Sequence, residues 1–121
     1  MVRTFVSYPL TSLTPKKFSE GLEREGCGYV SVVNSCNLSS PKIPLPTDHD
    51  LYFLHLGDLR DPIERITRLK EENPSSRIFL ITPKRDLGNS LLVGLTNGIL
   101  SSLNLQDKIR EEISAGEIVE H

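Results

Sequence analysis

DLYFLHLGDLRDPIERITRLKEENPSSRIFLIT, residues 50–82, is the stretch whose reading decides the fold. From Leu51 to Leu56 the chain is an almost unbroken apolar run with His55 near its end. It does not alternate polar with apolar, so the strand it predicts is covered on both faces. Gly57-Asp58 breaks the run. Asp61 then stands in the cap position and Pro62 in the first turn of a helix, where a missing N–H costs nothing. Ile63, Ile66 and Leu69 form one apolar stripe, and Glu64, Arg65, Arg68, Lys70, Glu71 and Glu72 fill the rest of that helix. Asn73-Pro74 ends it, and Arg77 to Thr82 is a second apolar strand. Strand, helix and strand at this spacing make a parallel β-α-β unit, so the segment predicts an α/β domain built on a parallel sheet.

The flanks extend the alternation. Arg3 to Tyr8 predicts a first strand ended by Pro9. Thr14 and Pro15 open a helix that runs to about Glu25, with Phe18 and Leu22 facing inward and Gly26 as its stop. Tyr29 to Val33 is a β-branched second strand. Beyond the central unit, Asp86 caps a helix marked by Leu87, Leu91, Leu92 and Leu95, which ends near Asn97-Gly98. Ile99-Leu100 is a very short strand. Asn104 and Asp107 have the spacing of a capping box for a final helix whose Leu105, Ile109 and Ile113 face the core. Gly116 weakens the end of that helix, and Ile118 and Val119 extend its apolar side. The interval from Asn34 to Asp48 breaks the pattern. Pro41, Pro44 and Pro46 exclude a regular helix, so an irregular connection is expected there, with one helical turn around Asn37 and anchors at Leu38, Ile43 and Leu45.

A chain of 121 residues suits one domain with one core. The formal charge of −2 and the lack of a basic cluster argue against direct nucleic-acid contact by this domain. No run approaches the ~20 apolar residues of a membrane span, and the N-terminus lacks the apolar core of a signal peptide. The expected location is the cytoplasm, with Cys27 and Cys36 as free thiols rather than part of a zinc set. The nucleotide-binding patterns GxGxxG and GxxxxGK[ST] are absent, as are the GxSxG elbow and HExxH. GLTNG at residues 94–98 reads as a helix exit. Neither an enzyme nor a cofactor is expected.

The order and spacing of these elements resemble the receiver domains of two-component response regulators. Residues 50–82 resemble their third strand, third helix and fourth strand. LLVGLTNGILSSLNLQDKIREEI, residues 91–113, resembles the exit of their fourth helix, their fifth strand and their final helix, while VRTFVSYP and FSEGLEREG fit the first strand and helix. The resemblance implies a flavodoxin-like three-layer sandwich over residues 1–121. Its five parallel strands would run in the order 2-1-3-4-5, with the first and last helices on one face. The crossovers at residues 62–72 and 87–97 would lie on the other, with the second crossover helix shortened or missing. That second face is then expected to be thinly covered around Leu38 and Leu45. If the chain is the first part of a longer regulator, an output domain would follow His121.

The same resemblance places the family's phosphoryl-accepting Asp at His55 and its acidic metal-binding pair at Tyr8 and Pro9. Its strand-end Lys falls at Ser101 or Ser102, and only the hydroxyl residue after the fourth strand is kept, as Thr82. It therefore implies a degenerate, pseudo-receiver member. Chemistry points the same way. Phosphoryl transfer to a carboxylate relies on Mg²⁺ held by several hard oxygen ligands, which Tyr8, Pro9 and His55 do not supply. Asp58 and Asp61 read as helix caps rather than as replacements.

Taken singly, His55 as a nucleophile lacks an orienting partner in the sequence. It could be a pH-sensitive imidazole, but the favoured reading is a structural histidine at the sheet's edge. Thr82 is read first as a strand-end residue bonded to backbone. Lys84 and Arg85, with Ser101 and Ser102, could meet an anion at a helix N-terminus, a role Asp86 opposes. His49 and His121 are unremarkable by position. The function expected is a phosphorylation-independent signalling module, in transcription regulation, that pairs with itself or with a protein partner. The face of the fourth helix, fifth strand and final helix would carry the contact, through Leu92, Asn97, Asp107, Arg110 and Glu111. The plain reading of those charges is solvated surface. The competing classes are a small-molecule or anion sensor in the cleft by Tyr8, His55, Thr82 and Ser101, and a residual phosphoacceptor.

Overall fold

The computed structural model describes residues 3–9, 20–21, 23, 29–38, 44–82, 94–100 and 105–119. Five strands, β1 (Arg3–Tyr8), β2 (Tyr29–Asn34), β3 (Leu51–His55), β4 (Arg77–Ile81) and β5 (Gly98–Leu100), form one sheet in the order β2-β1-β3-β4-β5. Every pairing is parallel, with Thr4 opposite Leu51, Leu51 opposite Arg77 and Phe79 opposite Gly98. β3 lies in the middle, and its Leu51, Tyr52, Phe53 and Leu54 are all fully buried. That position is why its sequence shows no alternation: both faces meet a helix layer.

Successive side chains still point to opposite faces. Leu51 and Phe53 join Val6, Val30, Phe79 and Ile81 in one core, closed by Leu105, Ile109 and Ile113 of the final helix, Leu105–Val119. Tyr52 and Leu54 join Phe5, Ile78 and Leu80 in the other, closed by Ile66 and Leu69 of the crossover helix, Pro62–Glu72. Burying each of those two helix residues contributes about 1.5–3 kcal/mol. Leu95 packs on this second face as well, so the crossovers and the final helix take the opposite sides expected of a flavodoxin-like sandwich. Of the expected first helix, Glu20, Gly21 and Glu23 are helical, and of the fourth, Gly94 and Leu95. Phe18, Leu22, Leu87, Leu91 and Leu92 lie outside the described residues. β5 sits close to its neighbour: a Cβ on Gly98 would come within 3.3 Å of the Phe79 ring.

The second crossover is the shortened one. After β2 the chain makes a single 3-10 turn, Ser35–Leu38, around the expected Asn37. Residues 44–50 then run without helix into β3, and Leu45 fills part of the second core, 8 % exposed. One local expectation is corrected and a second is refined. Leu56 and Asp58 belong to a 3-10 turn, Leu56–Asp58, rather than to the strand or to a helix cap. Asp61 does occupy the cap position, but with φ 48° and ψ 52° and no side-chain cap bond. Its carbonyl accepts the Arg65 N–H at 3.1 Å, so the helix is started by backbone geometry and Pro62.

Candidate functional site

The carboxyl ends of the parallel strands carry the residues singled out from the sequence. In open α/β sheets ligands gather there, where the strand order reverses, which in this sheet is between β1 and β3. Tyr8 ends β1 and His55 ends β3, and their rings meet edge to face with centroids 5.6 Å apart at 88°. The His55 N–H donates to Ser7 Oγ at 3.3 Å, locking the end of β3 onto β1. Below the imidazole lies Gly57, where a Cβ would stand only 3.0 Å from His55 Cε1. The backbone therefore comes right up to the ring, and packed aromatic surface occupies the ends of β1 and β3. Pro9 is half-buried beside Tyr8. Thr82 is buried just beyond β4 and its N–H donates to the Leu100 carbonyl at 3.0 Å. Ser101, Ser102, Lys84, Arg85 and Asp86 lie outside the described residues. Among the described residues, no group of three or more His, Cys, Asp or Glu side chains is placed to hold a metal ion.

On the other candidate surface, Asp107 and Glu111 are exposed and Arg110 is half-exposed. Arg110 pairs with Asp107, and Lys108 lies 3.8 Å from Glu111, both pairs one turn apart on the final helix. Exposed pairs of this kind contribute about 0.2–1 kcal/mol. Asn97 has a structural task as well, because its Oδ1 accepts the Ile78 N–H at 2.8 Å while its own N–H donates to the Ile78 carbonyl at 2.7 Å. Leu92 lies outside the described residues.

No protein-family model matches this sequence, and no curated protein matches it. Solved structures do. A response regulator from Burkholderia multivorans matches with a TM-score of 0.66 at 16% identity, over 97% of this chain and 96% of that one. A two-component response regulator from Clostridium difficile matches with a TM-score of 0.62 at 17% identity, over 93% of each chain. A response regulator from Burkholderia pseudomallei, with a phosphorylated aspartic acid, a calcium ion and citrate, matches with a TM-score of 0.59 at 18% identity. That match covers 98% of this chain and 75% of that one. The fold is that of a response-regulator receiver domain.

A second polar cluster of this receiver fold lies at the opposite, amino end of the sheet. His49, expected to be an ordinary loop residue, is only 6 % exposed. Its ring sits against Phe5 at 5.5 Å, Tyr52 at 5.8 Å and Tyr29 at 6.3 Å between centroids. Nε2 lies 3.3 Å from Ser31 Oγ. Nδ1 lies 2.9 Å from Asp48 Oδ1, but off the direction of a hydrogen bond. Burial holds the His49 pKa below its ordinary 6.5, chiefly against the charge of Asp48, while Arg3 adds to the depression.

The surrounding loop is tied down by side chains from elsewhere. Tyr52 Oη donates to the Pro46 carbonyl at 2.7 Å and accepts the His49 N–H at 3.2 Å. Burial raises the Tyr52 pKa, keeping its hydroxyl a donor. Asn73 Nδ2 donates to the His49 carbonyl at 2.7 Å and to the Thr47 carbonyl at 3.0 Å. Arg3 pairs with Asp48 at 3.3 Å, lies over the Tyr29 ring at 5.1 Å, and donates its backbone N–H to Asp50 Oδ2 at 2.9 Å. The local sequence signal is a histidine between two aspartates immediately ahead of a largely apolar strand.

Proposed function

We propose that this chain is a receiver-like signalling module that works without accepting a phosphoryl group. It acts through contact with a protein partner or a second copy of itself, as part of transcription regulation in the cytoplasm. The observation that carries the reading is the Tyr8–His55 ring contact with Gly57 beneath it. Phosphoryl transfer to a side chain at the strand ends asks for hard oxygen ligands around a divalent cation. In this reading Tyr8, Pro9 and His55 stand where the resemblance puts the family's carboxylates, and the Tyr8 and His55 rings meet edge to face. The Burkholderia pseudomallei neighbour, by contrast, carries a phosphorylated aspartic acid and a calcium ion. The partner surface in this reading is the face of the fourth helix, β5 and the final helix, carried by Leu92, Asn97, Asp107, Arg110 and Glu111.

A proton–nitrogen NMR titration of the purified chain with Mg²⁺, then with a small phosphodonor, tests the first half of the reading. The expected result is no specific shift with either reagent. Saturable shifts at His55 and Thr82 with Mg²⁺, or phosphoryl incorporation measured by mass, would overturn it in favour of a residual phosphoacceptor. Repeating the spectra at two protein concentrations tests the second half. Broadening confined to residues 94–113 would place self-association on the proposed face.

A further inference from the structure

Residues 44–50 cross the amino end of the sheet as a strap that belongs to no helix or strand. Side chains from elsewhere hold it down. Tyr52 Oη and Asn73 Nδ2 bind the Pro46, Thr47 and His49 carbonyls, and Arg3 pairs with Asp48. Two of the strap's own residues plug into the fold, Leu45 in the second core and His49 among the rings of Phe5, Tyr52 and Tyr29. The five strands pair with one another, and Ile66 and Leu69 reach the second core from the crossover helix. Those contacts do not pass through the strap, so it is built to open by itself.

His49 is the part of the strap whose chemistry changes with one proton. A neutral imidazole has a single N–H, and Nε2 lies within reach of Ser31 Oγ at 3.3 Å. An imidazolium donates from both nitrogens. The oxygen beside Nδ1, Asp48 Oδ1 at 2.9 Å, lies off the direction of a hydrogen bond, and the same carboxylate is drawn to Arg3 through Oδ2. A charged ring at this depth thus gives up water without gaining a well-directed second bond. Among the described residues, the charged and titratable groups facing it are Arg3 from β1, Tyr29 from β2, Asp48 and Asp50 from the strap, and Tyr52 from β3. The two aspartates favour the proton and Arg3 opposes it, but burial is the largest influence and favours the neutral ring.

We propose that residues 44–50 form a proton-released strap: protonation of His49 drives its ring out from among Phe5, Tyr52 and Tyr29 and frees the strap while the sheet stays folded. The closed ring's pKa lies below 6.5 and the open ring returns to about that value, so the closed form is undiminished above 6.5 and is lost as pH falls through the closed value. The test is a pH titration of the purified chain by NMR, with amide hydrogen exchange at each step. The His49 Cε1 proton reports the charge. The Asn73 side-chain amide reports the tether, and the His49 and Asp50 N–H groups report closure, since they donate to Tyr52 Oη and to the Arg3 carbonyl. The ring and the Asn73 amide should titrate together, with a midpoint below 6.5. Corrected for intrinsic rates, exchange at His49 and Asp50 should rise by up to about tenfold per pH unit below 6.5 in the native chain and not in His49→Gln. At every pH it should stay roughly tenfold or more above exchange at Leu54 in the central strand. A ring that titrates while the Asn73 amide stays unmoved would mean protonation in place and overturn the proposal. So would a midpoint at or above 6.5, or exchange at His49 and Asp50 no faster than at Leu54, which would mark global unfolding instead.

Discussion

Asn73 closes the crossover helix through its own N–H, which donates to the Leu69 carbonyl at 2.8 Å. Its side chain reaches away from that helix to hold the His49 and Thr47 carbonyls. Asn73→Ala keeps the helix end and deletes both of these bonds. The bond to His49 is partly buried, so its loss costs about 1–1.5 kcal/mol, while water can replace much of the exposed bond to Thr47, for about 0.5 kcal/mol. The expected loss is therefore about 1.5–2 kcal/mol, out of a stability typically near 5–15 kcal/mol. Urea unfolding followed by far-ultraviolet circular dichroism measures it, since the chain has no tryptophan to report by fluorescence. The midpoint should fall with the slope unchanged, which marks lost stability rather than a changed native state. Asn73→Asp sharpens the test. It preserves the shape but sets a carboxylate against two carbonyl oxygens, so at neutral pH it should cost more than the alanine variant. A loss below about 0.5 kcal/mol for Asn73→Ala would refute the reasoning. So would an aspartate variant as stable as the alanine one. Either result would mean that the loop holds itself against the sheet.

Two further perturbations probe the two ends of the sheet. Because burial depresses the His49 pKa in the folded chain, the unfolded chain takes up the proton first as pH falls below 6.5, so the neutral ring's stabilisation is present above that value and is lost on acidification through the folded value. Urea midpoints should drop from pH 7.5 towards pH 5.5 with a slope that His49→Gln reduces; Arg3, Asp48 and Asp50, the charged groups facing the ring, set how far it extends, and a slope unaffected by the substitution would count against the assignment. At the carboxyl end, Gly57→Ala places a methyl group 3.0 Å from His55 Cε1, which must displace the ring from Tyr8 at a cost of about 1–2 kcal/mol. The His55 ring-proton shift and the unfolding midpoint should both move, and an unmoved ring proton would show that the imidazole is not packed on the backbone there.

The elements legible in the sequence were those whose reading rests on which face is buried. Leu105, Ile109 and Ile113 had to share a side of one helix, and Ile66 and Leu69 a side of another, because each helix closes one core and periodicity records that directly. The readings that the structure amends concern polar residues. Asp61 has the composition of a capping residue, but its left-handed backbone reflects how the chain enters the helix from the 3-10 turn. Asn97, read as a helix exit and a contact residue, also gives its side-chain oxygen to the start of β4. The concealment of His49 follows from the most visible feature of the sequence, the prolines that forbid a helix between β2 and β3. Backbone carbonyls outside helices and strands need other donors once they leave water. Those of Pro46, Thr47 and His49 find them in Tyr52 Oη and Asn73 Nδ2, from β3 and from the end of the crossover helix. Losing a regular helix thus commits side chains from two other elements to the loop that replaces it. It also draws His49 under Phe5 and Tyr52, and leaves Pro44, Leu45 and Thr47 to line a groove against Leu69 and Glu72 of the crossover helix. The cluster at the amino end and the groove on the second face are two consequences of one shortened crossover. A substitution that frees residues 44–50, such as Asn73→Ala, should therefore disturb both together while leaving the Tyr8–His55 contact at the far end of the sheet intact.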